Sequence, residues 1–508
     1  MNFEHIIHLK MNRRNFLKYI GFGAAVTAIP ACLQPESGQE KLKPPNIILL
    51  MADDLGYGDV GFNGNKIIKT PNLDEMAKNG IKFNRFYAGA PVCSPTRGTC
   101  LTGRHNFRYG IFSASIGYLP AEEITLAKMC KSLGYTTGHF GKWHLAPITK
   151  TGQTMPEYYE NRERKYAPPW ERDYDESFTT ECNVPTWNPM DSERFDEDSQ
   201  LGFLHNGVEV KDNLSGASAR VFMDRVLPFI NNAAQHNQPF MATIWFHEPH
   251  DPVVAGSKYK AMYSEYNDDE QHYYGCITAM DEQIGRLRRL LQRIGIADNT
   301  MVWFCSDNGP AHLSQPGGPA WWMRRSRGVT GGLRGRKRSL FEGGIRVPAL
   351  LEWPAKIQKG RSVDMPCSTL DYFPTIQDYL NFKTPPNRPI DGISLKPMIE
   401  SNMSERPKPI PFCSFISRRA AQGSPPFALI HNNFKLLTNL SEHDGEDLLY
   451  DLTEDPSESI NIAKDHPQRV AKMKQQLMDW YDSCRASHSG TDYDTPFTPV
   501  NTFPELND

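Results

Sequence analysis

Residues 46–52, Asn-Ile-Ile-Leu-Leu-Met-Ala, form an unbroken apolar run without the alternation of a half-exposed strand. Such a run predicts a strand buried on both faces of a parallel sheet. Two more runs of this kind follow at Pro239–Phe246 and Thr300–Cys305. Between and around them the apolar positions switch to helical spacing. Helices are expected over Thr70–Gly80, Ile124–Leu133, Ala217–Asn232 (with Ser215 as a cap), Tyr274–Ile294 and Ser368–Leu380. Phe83–Tyr87 reads as a strand, and Gly134–Thr137 begins another. Buried strands alternating with helices predict an α/β fold, a mixed sheet with helices on both faces.

The pattern weakens over residues 148–212, which are rich in Pro, Trp, Tyr, Glu and Arg. They read as an insertion over the face that carries the site, where loops set specificity. Their aromatics Tyr166, Trp170, Tyr174 and Trp187 could stack on sugar rings or simply pack the loop down. The main domain is expected to span residues 46–400. A polar, Pro-rich stretch at Asn402–Pro411 marks a boundary. Beyond it, residues 401–485 read as a smaller C-terminal α+β subdomain with antiparallel strands at Phe427–His431, Phe434–Leu440 and Asp447–Asp451 and a helix at His466–Ser483. Residues 486–508 read as a polar tail.

Composition narrows the function classes. A chain of 508 residues with net charge −3 is a globular protein with no electrostatic signature of nucleic-acid binding. Ten Cys are scattered without CxxC pairs, which argues against a zinc site or a dense disulfide framework. Residues 1–45 change the picture of location. Asn12-Arg13-Arg14-Asn15-Phe16-Leu17-Lys18 resembles the twin-arginine export motif, and Ile29-Pro30-Ala31-Cys32 resembles a lipobox. The apolar run between them is too short to span a bilayer. The segment reads as a bacterial signal peptide and tether, with Cys32 the expected lipidation site and the periplasm or a lipid-anchored membrane surface the expected location.

The chemistry sits where the strands end. The first strand ends in Asp53-Asp54, and the strand at 300–305 runs on to Ser306-Asp307-Asn308-Gly309. Ligands bind at the C-terminal ends of such strands. Four oxygen-bearing side chains suit a hard cation, Ca²⁺ ahead of Mg²⁺. Cys93-Ser94-Pro95-Thr96-Arg97 opens a helix, with Ser94 as the expected N-cap and Pro95 as the first helical residue. In Lys142-Trp143-His144 an extended backbone would point the ammonium and the imidazole the same way. The strand at 239–246 ends in His247-Glu248-Pro249-His250. After Asn308 comes a basic loop with Arg324, Arg325, Arg327, Arg334, Arg336, Lys337 and Arg338.

Cys93-x-Pro95-x-Arg97 followed by Leu101-Thr102-Gly103-Arg104 resembles the signature of the type I sulfatases. Gly141-Lys142-Trp143-His144-Leu145 resembles that family's second block, and Leu333–Pro348 a third. Leu449-Tyr450-Asp451-Leu452 is similar to its C-terminal subdomain. The resemblance implies an alkaline-phosphatase-like fold. It also implies a Cys93 converted to formylglycine (3-oxoalanine) by a formylglycine-generating or anaerobic sulfatase-maturating enzyme. One divalent cation, usually Ca²⁺, would be held by Asp53, Asp54, Asp307, Asn308 and the group at position 93. The same resemblance assigns sulfate binding to Lys337, the base role to His144, and the acid role to His250 or Lys337, with His247 as the fallback for His250; by charge, a cation with Lys142, Lys337 and Arg97 would form an anion hole for the sulfate. Arg336 and Arg338 stand where the family more often has small residues. Either they extend the anion site or they displace the expected Lys by one position.

The expected activity is therefore hydrolysis of sulfate monoesters, with sulfated carbohydrate as the expected substrate and exo-acting removal at an oligosaccharide end as the expected mode. Two other readings stay open from sequence: a phosphatase or phosphonate monoester hydrolase of the same superfamily, and a non-catalytic lipoprotein that binds sulfated glycans.

Overall fold

In the computed structural model the chain is described for residues 43–150, 165–190, 202–313, 325–401, 403–417, 419–440, 445–495, 497–504 and 506. The twin-arginine and lipobox segments, Cys32, Arg324 and parts of the 148–212 stretch lie outside these residues. In chain order the elements are β1 (Asn46–Ala52), α1 (Pro71–Asn79), β2 (Ile81–Tyr87), α2 (Cys93–Thr102), α3 (Leu126–Ser132), β3 (Thr136–Lys142) and β4 (Glu176–Thr180). They continue with β5 (Leu204–His205), β6 (Val208–Glu209), α4 (Ser218–Gln235), β7 (Phe240–Trp245), α5 (Asp268–Arg293), β8 (Thr300–Ser306), β9 (Arg346–Glu352), β10 (Arg361–Val363), β11 (Cys367–Ser368) and α6 (Tyr372–Leu380). Four strands and a helix close the chain: β12 (Ile410–Cys413), β13 (Phe427–His431), β14 (Phe434–Thr438), β15 (Leu448–Asp451) and α7 (Pro467–His488).

Eleven strands form one mixed sheet in the order β10-β2-β9-β8-β1-β7-β3-β4-β5-β6, with β11 beside β2. Its centre is parallel: β1 pairs with both β7 and β8, and β3 pairs with β7 and β4. The doubly apolar β1 shows why. Ile47, Leu49 and Met51 enter one core cluster, with residues of α2, α3 and α6. Ile48, Leu50 and Ala52 enter the other, with α1, α4 and α5. Both faces are covered, as an apolar run without alternation requires. The second, four-stranded sheet is antiparallel in the order β12-β13-β14-β15.

Three sequence expectations change, and one strand goes unforeseen. The 148–212 stretch contributes three strands of the main sheet, β4, β5 and β6, rather than serving only as an insertion, and β4 is the longest of them. The Glu-Ser-Phe-Thr-Thr sequence of β4 has one large apolar residue, too few to register as a buried run. Arg346–Glu352 is a strand in spite of Pro348, between β2 and β8 and antiparallel to both. Ser215 does not cap α4: the buried Glu248 carboxylate instead accepts from Ser218 Oγ at 2.7 Å and Ala219 N at 2.9 Å, at the positive end of the helix. The expected polar tail also folds back. Asp492 pairs with Arg104 at 2.7 Å, and Phe503 is buried against Phe107 and Tyr481.

The two sheets are tied by a buried ion triad. Lys435 Nζ, fully buried on β14, lies 2.9 Å from both Glu342 Oε1 and Glu458 Oε1. Removing the ammonium would leave two buried carboxylates facing each other, a cost of about 3–5 kcal/mol. Lys435→Met is therefore expected to lose that much stability in urea unfolding. A loss under about 1 kcal/mol would mean the triad is dispensable.

Candidate active site

The register of the parallel strands builds the site. Ala52 pairs with Ser306, Met51 with Trp245, and Gly141 with Trp245. The residues just beyond them, Asp53-Asp54, Asp307-Asn308, His247–His250 and Lys142, therefore emerge side by side at one edge of the sheet. β2 is antiparallel to β9, which is antiparallel to β8, so the end of β2 points to the same edge and delivers α2 with Cys93 there. Backbone bonds lock the loops together: Asp53 N donates to Glu248 O at 2.9 Å and Asp307 N to Ala52 O at 3.1 Å. Gly141 has φ +100°, and a Cβ there would lie 2.0 Å from Trp245 O, so the turn that delivers Lys142 excludes any side chain.

At this edge three carboxylates meet three cations. Lys142 Nζ lies 2.7 Å from Asp53 Oδ2, Arg97 Nη2 lies 2.7 Å from Asp307 Oδ2 and 3.6 Å from Asp53 Oδ2, and Lys337 Nζ lies 2.7 Å from Asp54 Oδ1. Arg97, Lys142, Asp53 and Asp307 are fully buried. Burial works to raise the Asp53 carboxyl, but Lys142, His250, Arg97 and Lys337 together hold it well below the usual carboxylate range. Burial and the Asp53 charge push Asp307 up to about 7. Crowded carboxylates of this kind call for further positive charge.

The donor set fits a divalent cation. Asn308 Nδ2 donates to Asp54 Oδ1 at 2.7 Å and to Gly309 O at 2.8 Å, which turns its Oδ1 the other way. That Oδ1 and Asp53 Oδ1 are buried without a hydrogen-bond partner. Donor atoms of Asp53, Asp54, Cys93 and His250 all lie within 4.8 Å of one another. The His250 ring lies against these oxygen donors, and Asp307 adjoins them, accepting from Arg97 and, at 3.1 Å, from Asp54 N.

Cys93 is the first residue of α2 and is buried, and burial pushes its thiol up to about 12, so as a thiol it stays protonated at neutral pH. The N-cap is Val92 rather than Ser94. Ser94 Oγ instead accepts from Ser115 N at 3.2 Å. Lys142 and His144 also do not share an extended segment. β3 ends at Lys142, and His144 has φ +53°. Its Nε2 lies 2.8 Å from Ser115 Oγ and 3.5 Å from Cys182 Sγ, which leaves a buried, unpartnered Nδ1. Sequence reasoning missed Ser115 and Cys182, which come from loops with no motif of their own.

His250 and His247 separate clearly. His250 Nδ1 lies 2.7 Å from Asp251 O, to which an Nδ1–H donates, and its Nε2 lies 3.7 Å from Asp54 Oδ2. His247 is fully buried with Nε2 on Thr180 Oγ1 at 2.8 Å and takes no part in the carboxylate cluster. Lys337 reaches Asp54, so Arg336 and Arg338 do not displace it. Tyr174 is buried with its hydroxyl on Thr243 Oγ1, Trp170 donates to Tyr166 Oη at 3.2 Å, and Trp187 stacks on the edge of Tyr259. All four aromatics have packing roles, and Tyr174 is closed to ligands.

Residues 45–382 match the family described as Sulfatase, and residues 335–483 match the C-terminal region of N-sulphoglucosamine sulphohydrolase. The chain is 29% identical to steryl-sulfatase of Mus musculus, over 88% of this chain and 82% of that protein. It is 32% identical to N-acetylgalactosamine-6-sulfatase of Mus musculus, over 72% of this chain and 68% of that protein. Among solved structures, Ps i-CgsB in complex with k-i-k-neocarrahexaose is similar with TM-score 0.71 and 26% identity, over 90% of this chain and 95% of that one.

Proposed function

The chain belongs to the sulfatase family and is a sulfuric ester hydrolase, and from that premise we propose that it removes sulfate from a sulfated carbohydrate at the site centred on Cys93. The observation that carries the placement is the meeting of Cys93, three buried carboxylates and three paired cations at one sheet edge. Support for the carbohydrate comes from similarity to an N-acetylgalactosamine-6-sulfatase and to a protein solved with a neocarrahexaose. The preferred mode is exo-acting, at the end of an oligosaccharide.

Cys93 matured to formylglycine would supply the nucleophile, and one Ca²⁺ (Mg²⁺ as the alternative) on Asp53, Asp54, Asp307 and Asn308 would supply charge that polarises the sulfate. The rest of the work falls to the chain's own side chains. Lys142, Lys337 and Arg97 present positive charge in a site their burial keeps poor in water, where developing negative charge on the sulfate oxygens is worth most to stabilise. Formally, Asp53, Asp54 and Asp307 cancel these three cations, so a divalent cation leaves the site at +2 and drawn to an anionic ester. His250 is oriented by Asp251 O so that Nε2 faces the cluster, and in its imidazolium form, which burial disfavours, it would give the Nε2 proton to the departing sugar oxygen. Lys337, against both oxygens of Asp54, is a charge stabiliser rather than the acid. His144, held at Nε2 by Ser115, keeps Nδ1 free to take up a proton.

Location and maturation complete the reading. On the motifs of residues 12–32, the protein is exported from a bacterial cytoplasm to the periplasm or to a lipid anchor at Cys32. A formylglycine-generating or anaerobic sulfatase-maturating enzyme acts on Cys93. The test is release of sulfate from sulfated oligosaccharides beside matched phosphate and phosphonate esters. Sulfate release at least about 10²-fold faster is expected. Faster turnover of the phosphorus esters would move the chain to phosphatase chemistry, and tight binding without release would make it a glycan-binding protein.

A further inference from the structure

The arginines around Lys337 are the part of the sequence that the site does not absorb. Two of the three nearest are spoken for. Arg334 Nη1 donates to Tyr450 Oη at 3.2 Å and to Glu458 O at 3.0 Å, with its guanidinium over the Phe341 ring. Arg336 turns away from the site, its Nε donating to Ala311 O at 3.0 Å and its Nη2 to Gly328 O. Arg338 differs. Its side chain is exposed, and among the described residues no carboxylate or carbonyl pairs with its guanidinium.

Arg338 is nevertheless held in place. Lys337 N donates to Pro310 O at 3.0 Å and Arg338 N to Pro91 O at 2.8 Å. The two residues are thus fastened to the loop that follows Asn308 and to the turn that precedes Cys93. Arg338 has φ +77°, in the left-handed region that favours glycine. A large side chain at such a position costs backbone energy, and outliers of this kind concentrate at functional sites. A charge run is usually a solvated face. Here Arg334 and Arg336 have structural partners, while Arg338, among the described residues, has none for its guanidinium and is fixed beside Lys337.

His312 lies at the same rim as an uncharged hydrogen-bonding ring. It is exposed on the loop after Asp307-Asn308, its ring is bonded to the backbone at Ala420, and partial burial together with the Arg336, Arg338 and Lys337 charges holds its imidazole below the ordinary range. Lys337 already has Asp54, so the uncompensated charge at this rim belongs to Arg338.

We propose that Arg338, backed by His312, forms a second anion subsite at the rim of the sulfate site, and that the sugar desulfated here carries a second oxyanion, a carboxylate or another sulfate. This rests on the carbohydrate reading above. A planar guanidinium matches either oxyanion with two parallel hydrogen bonds. The subsite selects polyanionic saccharides over singly sulfated neutral ones.

Arg338→Gly is the informative variant, because glycine suits the left-handed backbone and removes only the side chain. Wild type and variant are compared by sulfate release from hexosamine and galactose saccharides, each supplied singly sulfated, disulfated and linked to a uronic acid. Wild type is expected to show kcat/KM about tenfold higher on members with a second anion. Arg338→Gly should abolish that advantage through KM and change the singly charged members less than twofold. Preference for the disulfated or for the uronate arm identifies the second oxyanion. No preference in wild type, or an equal loss on every member, overturns the subsite and leaves the sulfatase reading intact. Release from no member overturns the carbohydrate reading, and the subsite with it.

Discussion

Cys93→Ser is expected to leave a folded protein whose sulfate release falls by about 10⁴-fold or more, to background. Serine is nearly the shape of cysteine, and position 93 lies buried at the start of a helix whose N-cap is the backbone of Val92. The donors around position 93, Asp53, Asp54 and His250, come from other loops and keep their own partners. Folding should therefore survive, with a melting temperature within a few degrees of wild type, while the reacting group is lost. Sulfate release and thermal unfolding on the same preparation check this. Turnover within tenfold of wild type would remove Cys93 from the chemistry.

Lys142→Met should produce the second-largest effect, and it acts on both activity and stability. Lys142 Nζ is fully buried at 2.7 Å from Asp53 Oδ2, and Asp53 in turn holds it above its ordinary range against the pull of burial. Removing a preorganised donor of this kind costs about 10²–10³-fold in kcat. The same change leaves Asp53 with Arg97 at 3.6 Å as its remaining close cation, so about 3–5 kcal/mol of stability is expected to go as well. Lys337→Met offers the contrast. Its partner Asp54 keeps the Asn308 amide at 2.7 Å and His250 at 3.7 Å, so a smaller loss of stability should accompany a comparable loss of rate. Denaturant unfolding and steady-state kinetics on the two variants separate the roles. A drop of less than tenfold in kcat for Lys142→Met would mean that its ammonium serves Asp53 and not the substrate.

What the sequence made legible follows from burial. β1 matches its expected run of Asn46–Ala52 residue for residue, because a strand covered on both faces leaves no polar position to blur it. The acidic pairs after β1 and β8 were readable for the same reason: parallel neighbours deliver whatever follows them to one edge. Strands that break the pattern were not readable. β9 contains Pro348, and β4 has one large apolar residue among five. The caps show the limit of local rules. Ser94 and Ser215 are good cap residues in isolation, but Ser94 Oγ is engaged by Ser115 N, and the start of α4 is served by Glu248 from a distant loop. The orientation of His144 was equally hidden, since it depends on left-handed backbone at both His144 and Ser115, with φ of +53° and +60°.

The central claim is that Cys93 is the matured reacting residue of a sulfatase. The most direct test is the mass of the tryptic peptide Phe86–Arg97, from protein produced with a sulfatase-maturating enzyme. Conversion of Cys93 to formylglycine is expected to lower that mass by about 18 Da, in proportion to the sulfate-releasing activity of each preparation. An unmodified Cys93 in a preparation that releases sulfate at full rate would contradict the account.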